Sequence, residues 1–272
     1  MRIHTTKQES QAVYERIAST ELAGLGATSA NIRRLLKSVD LVGWSSREES
    51  GRLDRRALTR FATGSTAVFS RREMKEAERA AVSVLIDCSA SMTSCYDGYT
   101  TRISIAQEIA IHLAKIFNKA DVEFSVTGFT SRLGGKEMLS DGDNYHIAES
   151  AAFIRFKKWG DSLNASAAKL GAINRAAKGG TPDYAALYSA LEEVSKRPES
   201  NRVLFLLTDA DSYNVPNMKH LQKIADTLNV KMIAIGINAP DVTECFRHGV
   251  NVSDVNNLTG TAFNHLLKTL RK

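Results

Sequence analysis

Ala81-Val82-Ser83-Val84-Leu85-Ile86-Asp87-Cys88-Ser89-Ala90-Ser91 is an apolar run that stops at an acidic residue followed by two spaced hydroxyls. A short run of this kind reads as a strand buried on both faces, delivering its last side chain to a sheet edge. In open α/β folds ligands bind at that edge, beyond the carboxyl ends of the strands. The hydroxyls of Ser89 and Ser91 follow the Asp87 carboxylate closely enough for one tight loop to aim three hard oxygens at one point. Hard oxygens suit magnesium, manganese or calcium better than softer metals.

Outward from this strand, apolar runs alternate with helical patterns, which predicts an α/β fold: a mainly parallel, Rossmann-like sheet with helices on both faces. Arg102 to Asn118 reads as a helix with Ile105, Ile109, Leu113 and Ile116 inward, and Val122 to Phe129 as the next strand. Residues 131–160 are glycine-rich and charged, and are expected to form an insertion or lid. A helix is expected from Leu163 to Ala177 and another from Asp183 through Val194. Val203-Leu204-Phe205-Leu206-Leu207 is the most apolar run of the chain, hence a central strand. Met218 to Leu228 and Thr261 to Leu270 read as helices, and Lys231 to Ile237 as a strand.

Two further segments bring oxygen-bearing side chains to the same predicted edge. Thr181 follows Gly179-Gly180 at a helix start, and Asp209 follows the central strand directly. Asp87, Ser89, Ser91, Thr181 and Asp209, with water filling gaps, match an octahedral hard-cation site that keeps an open position. Each has a second, structural reading. Ser89 and Ser91 suit a turn or helix cap. Thr181 suits the N-cap of its helix, with Pro182 at the first helical position, and Asp209 suits a cap of whatever follows.

The N-terminal part differs in character. Residues 1–80 hold 15 Lys and Arg against 10 Asp and Glu, whereas residues 81–272 hold 21 against 20. The net charge of +6 therefore sits mostly in the first part. Gln11 to Val39 is helical in pattern, broken at Gly24-Leu25-Gly26, with Val13, Ile17, Leu22 and Leu25 near one face. Asp54 to Phe61 reads as a short helix and Thr66 to Ser70 as a strand. The chain is thus expected to comprise a basic, mostly helical extension at residues 1–80 and an α/β domain at residues 81–272. Interleaved acids and the lack of an aromatic stacking series argue against nucleic acid as the partner of the basic stretch.

D-x-S-x-S is the pattern of a metal-ion-dependent adhesion site, and the chain resembles a von Willebrand factor A domain. The resemblance narrows to the cobaltochelatase T-subunit branch. It rests on Gly51-Arg52-Leu53-Asp54 with Arg60, Val68-Phe69-Ser70-Arg71-Arg72 and the run from Ala81 to Met92. Gly128-Phe129-Thr130 and Gly179-Gly180-Thr181-Pro182-Asp183-Tyr184-Ala185-Ala186-Leu187 continue it. It covers residues from about 50 to the C-terminus.

The resemblance implies Asp87, Ser89, Ser91 and Thr181 as metal contacts, with Asp209 as the third motif and magnesium, or manganese or calcium, as the ion. It also implies a protein-interaction subunit without chemistry of its own. An acidic residue of a partner completes the metal shell, and the partner is a AAA+ ATPase. Two departures stand out. Ala90 replaces a usual glycine between the serines. The third motif reads Thr208-Asp209-Ala210-Asp211 where T-D-G is usual, and alanine there disfavours a left-handed backbone.

A rival reading takes Asp209-Ala210-Asp211 as the D-x-D of a haloacid-dehalogenase-type, magnesium-dependent phosphatase, with Asp209 attacking phosphorus and Asp211 as acid and base. That motif sits early in its domain and continues with Thr or Val, where this chain has Tyr213. It also leaves Asp87, Ser89 and Ser91 unexplained. No G-x-x-x-x-G-K-[ST] loop occurs, and the six histidines lack zinc-type spacing. His112 reads as a core or helix-edge residue. Cys88, Cys95 and Cys245 form no disulfide framework. Without an apolar run of ~18 residues or a signal-type N-terminus, no membrane span is expected and the cytoplasm is the expected location.

Overall fold

A computed structural model describes residues 7–20, 43–54, 57, 59, 64–73, 80–95, 98–141, 144–210 and 213–252. Its centre is the predicted strand, β4 (Ala80–Asp87), buried at every position. To one side lie β5 (Glu123–Asp141) and β6 (Asn144–Lys157); to the other lie β7 (Asn201–Thr208), β8 (Val230–Ile237) and β9 (Gly249–Val252). The order is β6-β5-β4-β7-β8-β9, with β5 and β6 antiparallel and the other pairs parallel. Register places Asp87 opposite Phe129 and Ile86 opposite Leu207. The carboxyl ends of β4 and β7 are thereby level with Phe129 of β5, which brings the loops after β4 and β7 to one edge.

Side chains alternate across the sheet with the strand period of two. Val82, Val84 and Ile86 face one core with Phe205 and Leu207, while Leu85, Leu204 and Leu206 face the other. The first core is covered by α2 (Arg102–Lys119), whose Ile105, Ile109, Leu113 and Ile116 are all buried as expected. Phe117 anchors it, 5.7 Å from Phe124 and 5.8 Å from Phe205 between ring centres. The second is covered by α4 (Asp183–Ser195) and α5 (Val215–Thr227). With both faces buried, the strands need no polar alternation, which explains their continuous apolar sequence.

The N-terminal helix α1 (Lys7–Ser19) contributes Tyr14 and Ile17 to the first core, packing on α2 and on α3 (Leu163–Leu170). Lys115 Nζ donates to the Ala18 carbonyl at its C-terminal end. The helix expected from Leu163 to Ala177 stops at Gly171 and resumes as a 3-10 turn over Ile173–Arg175. Close packing explains the glycine: a Cβ at Gly171 would lie 1.8 Å from the Ser10 carbonyl oxygen of α1.

Within residues 131–160, expected to be irregular, residues 131–141 and 144–157 continue β5 and β6 as antiparallel strands, with a register shift between Ser131 and Lys136 beside Gly134-Gly135. Glycine and charge hid the strand pattern there. The strand expected at Thr66 to Ser70 forms three residues later, as β3 (Phe69–Glu73), and two strands absent from the sequence reading, β1 (Gly43–Glu48) and β2 (Arg52–Leu53), both pair with it in antiparallel fashion. The helix α6 (Val242–Cys245) is a single turn. The expected helices beyond Thr20, from Asp54 to Phe61 for the most part, and from Thr261 to Leu270 lie outside the described residues. No helix among the described residues is long and apolar enough to cross a membrane.

Candidate metal centre

The loop after β4 turns at once into a 3-10 turn over Ala90–Thr93. Asp87 Oδ1 accepts from the Ser89 N–H at 2.9 Å, which folds the loop back over the carboxylate. Ser89 occupies the cap position of the turn but its side chain makes no cap bond. Its Oγ lies 2.9 Å from Ser91 Oγ instead, so the two hydroxyls converge beside the carboxylate.

The second segment is tied onto the first by backbone hydrogen bonds. Lys178 N–H donates to the Cys88 carbonyl at 2.8 Å, and Ala90 N–H to the Gly179 carbonyl at 2.9 Å. The middle of β5 holds the same segment from its other side. Gly180 N–H donates to Ser131 Oγ at 2.6 Å, and Thr130 Oγ1 donates to the Lys178 carbonyl. Gly179 has φ +81°, and a Cβ there would sit 2.8 Å from Thr130 Oγ1. Glycine therefore meets both a left-handed backbone and a close approach. Thr181, half-buried, follows directly. It is not the helix cap: α4 begins at Asp183, and Pro182 stands at the cap position without a side-chain bond.

From β7, Thr208 Oγ1 donates to Asp87 Oδ2 at 3.0 Å. The same oxygen accepts from Ala210 N–H at 2.9 Å and lies 2.9 Å from the Tyr213 hydroxyl. Thr208 has one proton, given to the carboxylate, so Tyr213 is the donor in that pair. Ala210 has φ +51°, so the backbone is left-handed here despite the alanine. Asp209 Oδ2 accepts from Arg102 Nη1 at 3.1 Å, and its side chain is fully shielded. Asp211 lies outside the described residues.

Burial and charge set the chemistry. Asp87 is fully buried, and the Ser89 N–H and the Thr208 hydroxyl that bond it are neutral donors. Burial, with the nearby Asp209 charge, pushes its carboxyl up to about 6 against the lowering by Ser89 and Thr208. Asp87, Asp209 and Arg102 together carry one net negative charge beside two convergent hydroxyls. This donor set fits a hard divalent cation. Among the described residues no group of three or more His, Cys, Asp or Glu is placed to hold a metal ion, so hydroxyl oxygens have to supply part of any metal shell here.

A family model, described as the cobalamin biosynthesis protein CobT VWA domain, matches residues 68–271. The chain belongs to that family. Its fold is accordingly the von Willebrand factor A fold expected from the adhesion-site pattern, in the cobaltochelatase T-subunit branch. α1 precedes the matched span.

Among solved structures the chain is similar to the pilus adhesin SpaC of Lactobacillus rhamnosus GG, at 14% identity and a TM-score of 0.53. The match covers 72% of this chain and 31% of that one. It is also similar to the PilB minor pilin of Streptococcus sanguinis, at 12% identity and a TM-score of 0.51, covering 74% and 64%. This CobT-type chain thus spans about a third of the adhesin's length and under two thirds of the pilin's, and the likeness is one of fold. No curated protein sequence matches it.

Sequence reasoning missed Arg102 and the roles of Thr208 and Tyr213. Arg102 and Asp209 are 107 positions apart, so nothing local marks the pair. Thr208 carried a signal, since it separates the strand from Asp209, but its bond to Asp87 is visible only once β4 and β7 are neighbours.

Proposed function

We propose that this chain is a divalent-cation-dependent protein-interaction subunit, in which Asp87, Ser89, Ser91, Thr181 and Asp209 hold magnesium, with manganese or calcium as substitutes. The observation that carries this reading is the fully buried Asp87 carboxylate, set against neutral donors and level with two hydroxyls 2.9 Å apart. Serine and threonine hydroxyls donate without neutralising, so the bound ion keeps charge for an incoming ligand. When bound, the ion offers a coordination position that a carboxylate of a partner protein completes.

The chain's own residues do the rest. Thr208 and the Ser89 N–H fix the Asp87 oxygens, and the backbone bonds from Lys178 and Ala90 keep the loop after β4 and the Lys178–Gly179 segment in register. Family membership supports a non-catalytic subunit of a chelatase-type complex, with a AAA+ ATPase as the partner. The phosphatase reading finds less support, because the Asp209 side chain is fully shielded and ion-paired.

Calorimetric titration with magnesium and manganese tests the reading. Saturable binding that Asp87→Ala weakens by more than about a hundredfold is expected, since this change removes a direct ligand and second-shell losses alone reach 10–100-fold. Binding to a purified cobaltochelatase-type AAA+ ATPase should appear with magnesium and vanish with chelator. Turnover of a generic phosphate ester, abolished by Asp209→Ala but kept by Asp87→Ala, would overturn the reading.

A further inference from the structure

Arg102 is the first residue of α2, and the fold carries it to the metal centre by several independent bonds. Thr101 caps the helix, accepting from Ser104 N–H at 3.3 Å and lying 2.7 Å from Ser104 Oγ. The Arg102 N–H donates to the Ser94 carbonyl at 3.1 Å, and Cys95 pairs with Thr101 as an isolated antiparallel β-bridge, which holds the helix start against Ser94 and Cys95. The helix therefore starts directly beside the loop that bears Ser89 and Ser91. From there the guanidinium reaches Asp209, 3.1 Å from Oδ2. Its side chain is 21% exposed while that of Asp209 is 0% exposed.

We propose that Arg102 is a built-in counter-ion that sets the cation affinity of this centre by neutralising Asp209. The inference rests on the metal reading above and adds a residue which that reading does not contain. With Arg102 present, the two carboxylates and the guanidinium sum to one negative charge, and a divalent ion brings the cluster to +1. Without it the cluster carries two negative charges, and the same ion brings it to zero. A fixed positive charge next to a ligand repels the incoming ion in a medium that screens poorly. The same pair supplies a positive charge to a shielded carboxylate when no metal is bound, and breaking such a pair by removing one partner is destabilising. Arg102 thus exchanges affinity for stability of the metal-free form, and it leaves a bound ion with surplus positive charge for an acidic partner.

The test is manganese titration of wild type, Arg102→Gln and Arg102→Lys, with thermal melts of each in chelator and in saturating manganese. Arg102→Gln removes the charge and keeps a hydrogen-bond donor. It is expected to bind manganese at least about tenfold more tightly, to melt lower in chelator and to gain more from added metal. Arg102→Lys keeps the charge and should stay within about threefold of wild type. A purely structural role predicts the opposite, weaker binding in Arg102→Gln, and that result overturns the proposal, as does unchanged affinity. If wild type binds and Asp87→Ala does not, an unchanged Arg102→Gln refutes the counter-ion role alone. If neither wild type nor Arg102→Gln binds manganese, the metal reading falls and this inference with it.

Discussion

Asp87 and Lys157 are both buried charges on one sheet, and their surroundings are opposite. Lys157, 3% exposed on β6, donates to the Phe124 carbonyl at 2.7 Å and the Lys158 carbonyl at 3.3 Å, with its Nζ 4.0 Å from the centre of the Phe124 ring. Burial lowers its pKa, and the nearby Glu123 and Asp161 raise it again. Asp87, 0% exposed at the carboxyl end of β4, receives a backbone N–H and a hydroxyl, and its near charged neighbour is another carboxylate. A buried charge surrounded by compensating groups is a structural element. One set among neutral donors beside a like charge costs stability unless a cation arrives. The contrast makes the Lys157 site one of packing and leaves the Asp87 edge as the place where the proposed cation would act.

The largest expected effect separates the two sites directly. Asp87→Asn removes the charge with little change of shape. It should abolish magnesium binding while leaving unfolding free energy in chelator unchanged or raised. Lys157→Met should do the reverse: it leaves two carbonyls short of a donor, costing about 2 kcal/mol, with metal affinity intact. Paired urea unfolding and calorimetry on both variants read this out. A Lys157→Met variant that loses metal affinity would break the contrast.

A second pair of buried groups sharpens it through pH. His112 on α2 is 2% exposed, and its Nδ1 finds no hydrogen-bond partner among the described residues. Burial first, and Lys115 second, lower its pKa to about 4. Between about 4 and the unfolded value near 6.5 the unfolded chain binds the proton and the folded one does not. His112 therefore contributes stability that is full above about pH 6.5 and lost as pH falls toward 4, about 3 kcal/mol in all. Metal-free Asp87, raised to about 6, has the opposite sign: protonation in the folded state returns about 3 kcal/mol as pH falls from 6 toward 4. The two slopes oppose each other in wild type. In chelator, Asp87→Asn should expose a steep loss of stability on acidification, and His112→Leu should reverse it. Urea midpoints from pH 7 to 4.5 measure both, and identical profiles in the two variants would refute the assignment of the slopes.

Legibility in the sequence follows the range of the interactions involved. β4, β7, β8, α2 and α4 were readable because each carries its own apolar period, and the order of Asp87, Ser89, Ser91, Thr181 and Asp209 along the chain was readable because strand ends mark themselves. The β5–β6 hairpin was not, since Gly134-Gly135 and charged residues erase strand alternation while backbone pairing alone sustains the strands. β9, four residues long, is defined by its parallel register with β8. Arg102 and Thr208 act on partners 107 and 121 positions away, and only the strand order brings them there.

The smallest expected effect concerns where the centre stores unfavourable energy. Ala210 sits at φ +51°, a conformation costing an L-residue about 1–2 kcal/mol. Ala210→Gly relieves that cost but adds about 0.5–1 kcal/mol of chain entropy to the unfolded state. It also removes a methyl group that is 5% exposed within the core facing α4 and α5, worth about 0.8 kcal/mol. These contributions nearly cancel, so stability should change by less than about 0.5 kcal/mol. Metal affinity should hold as well, because the Ala210 N–H still bonds Thr208 Oγ1. A gain above about 1 kcal/mol in urea unfolding would show that the loop after β7 stores strain of its own. A null result leaves the buried Asp87 charge as the unfavourable element of the centre, which the proposed cation would relieve.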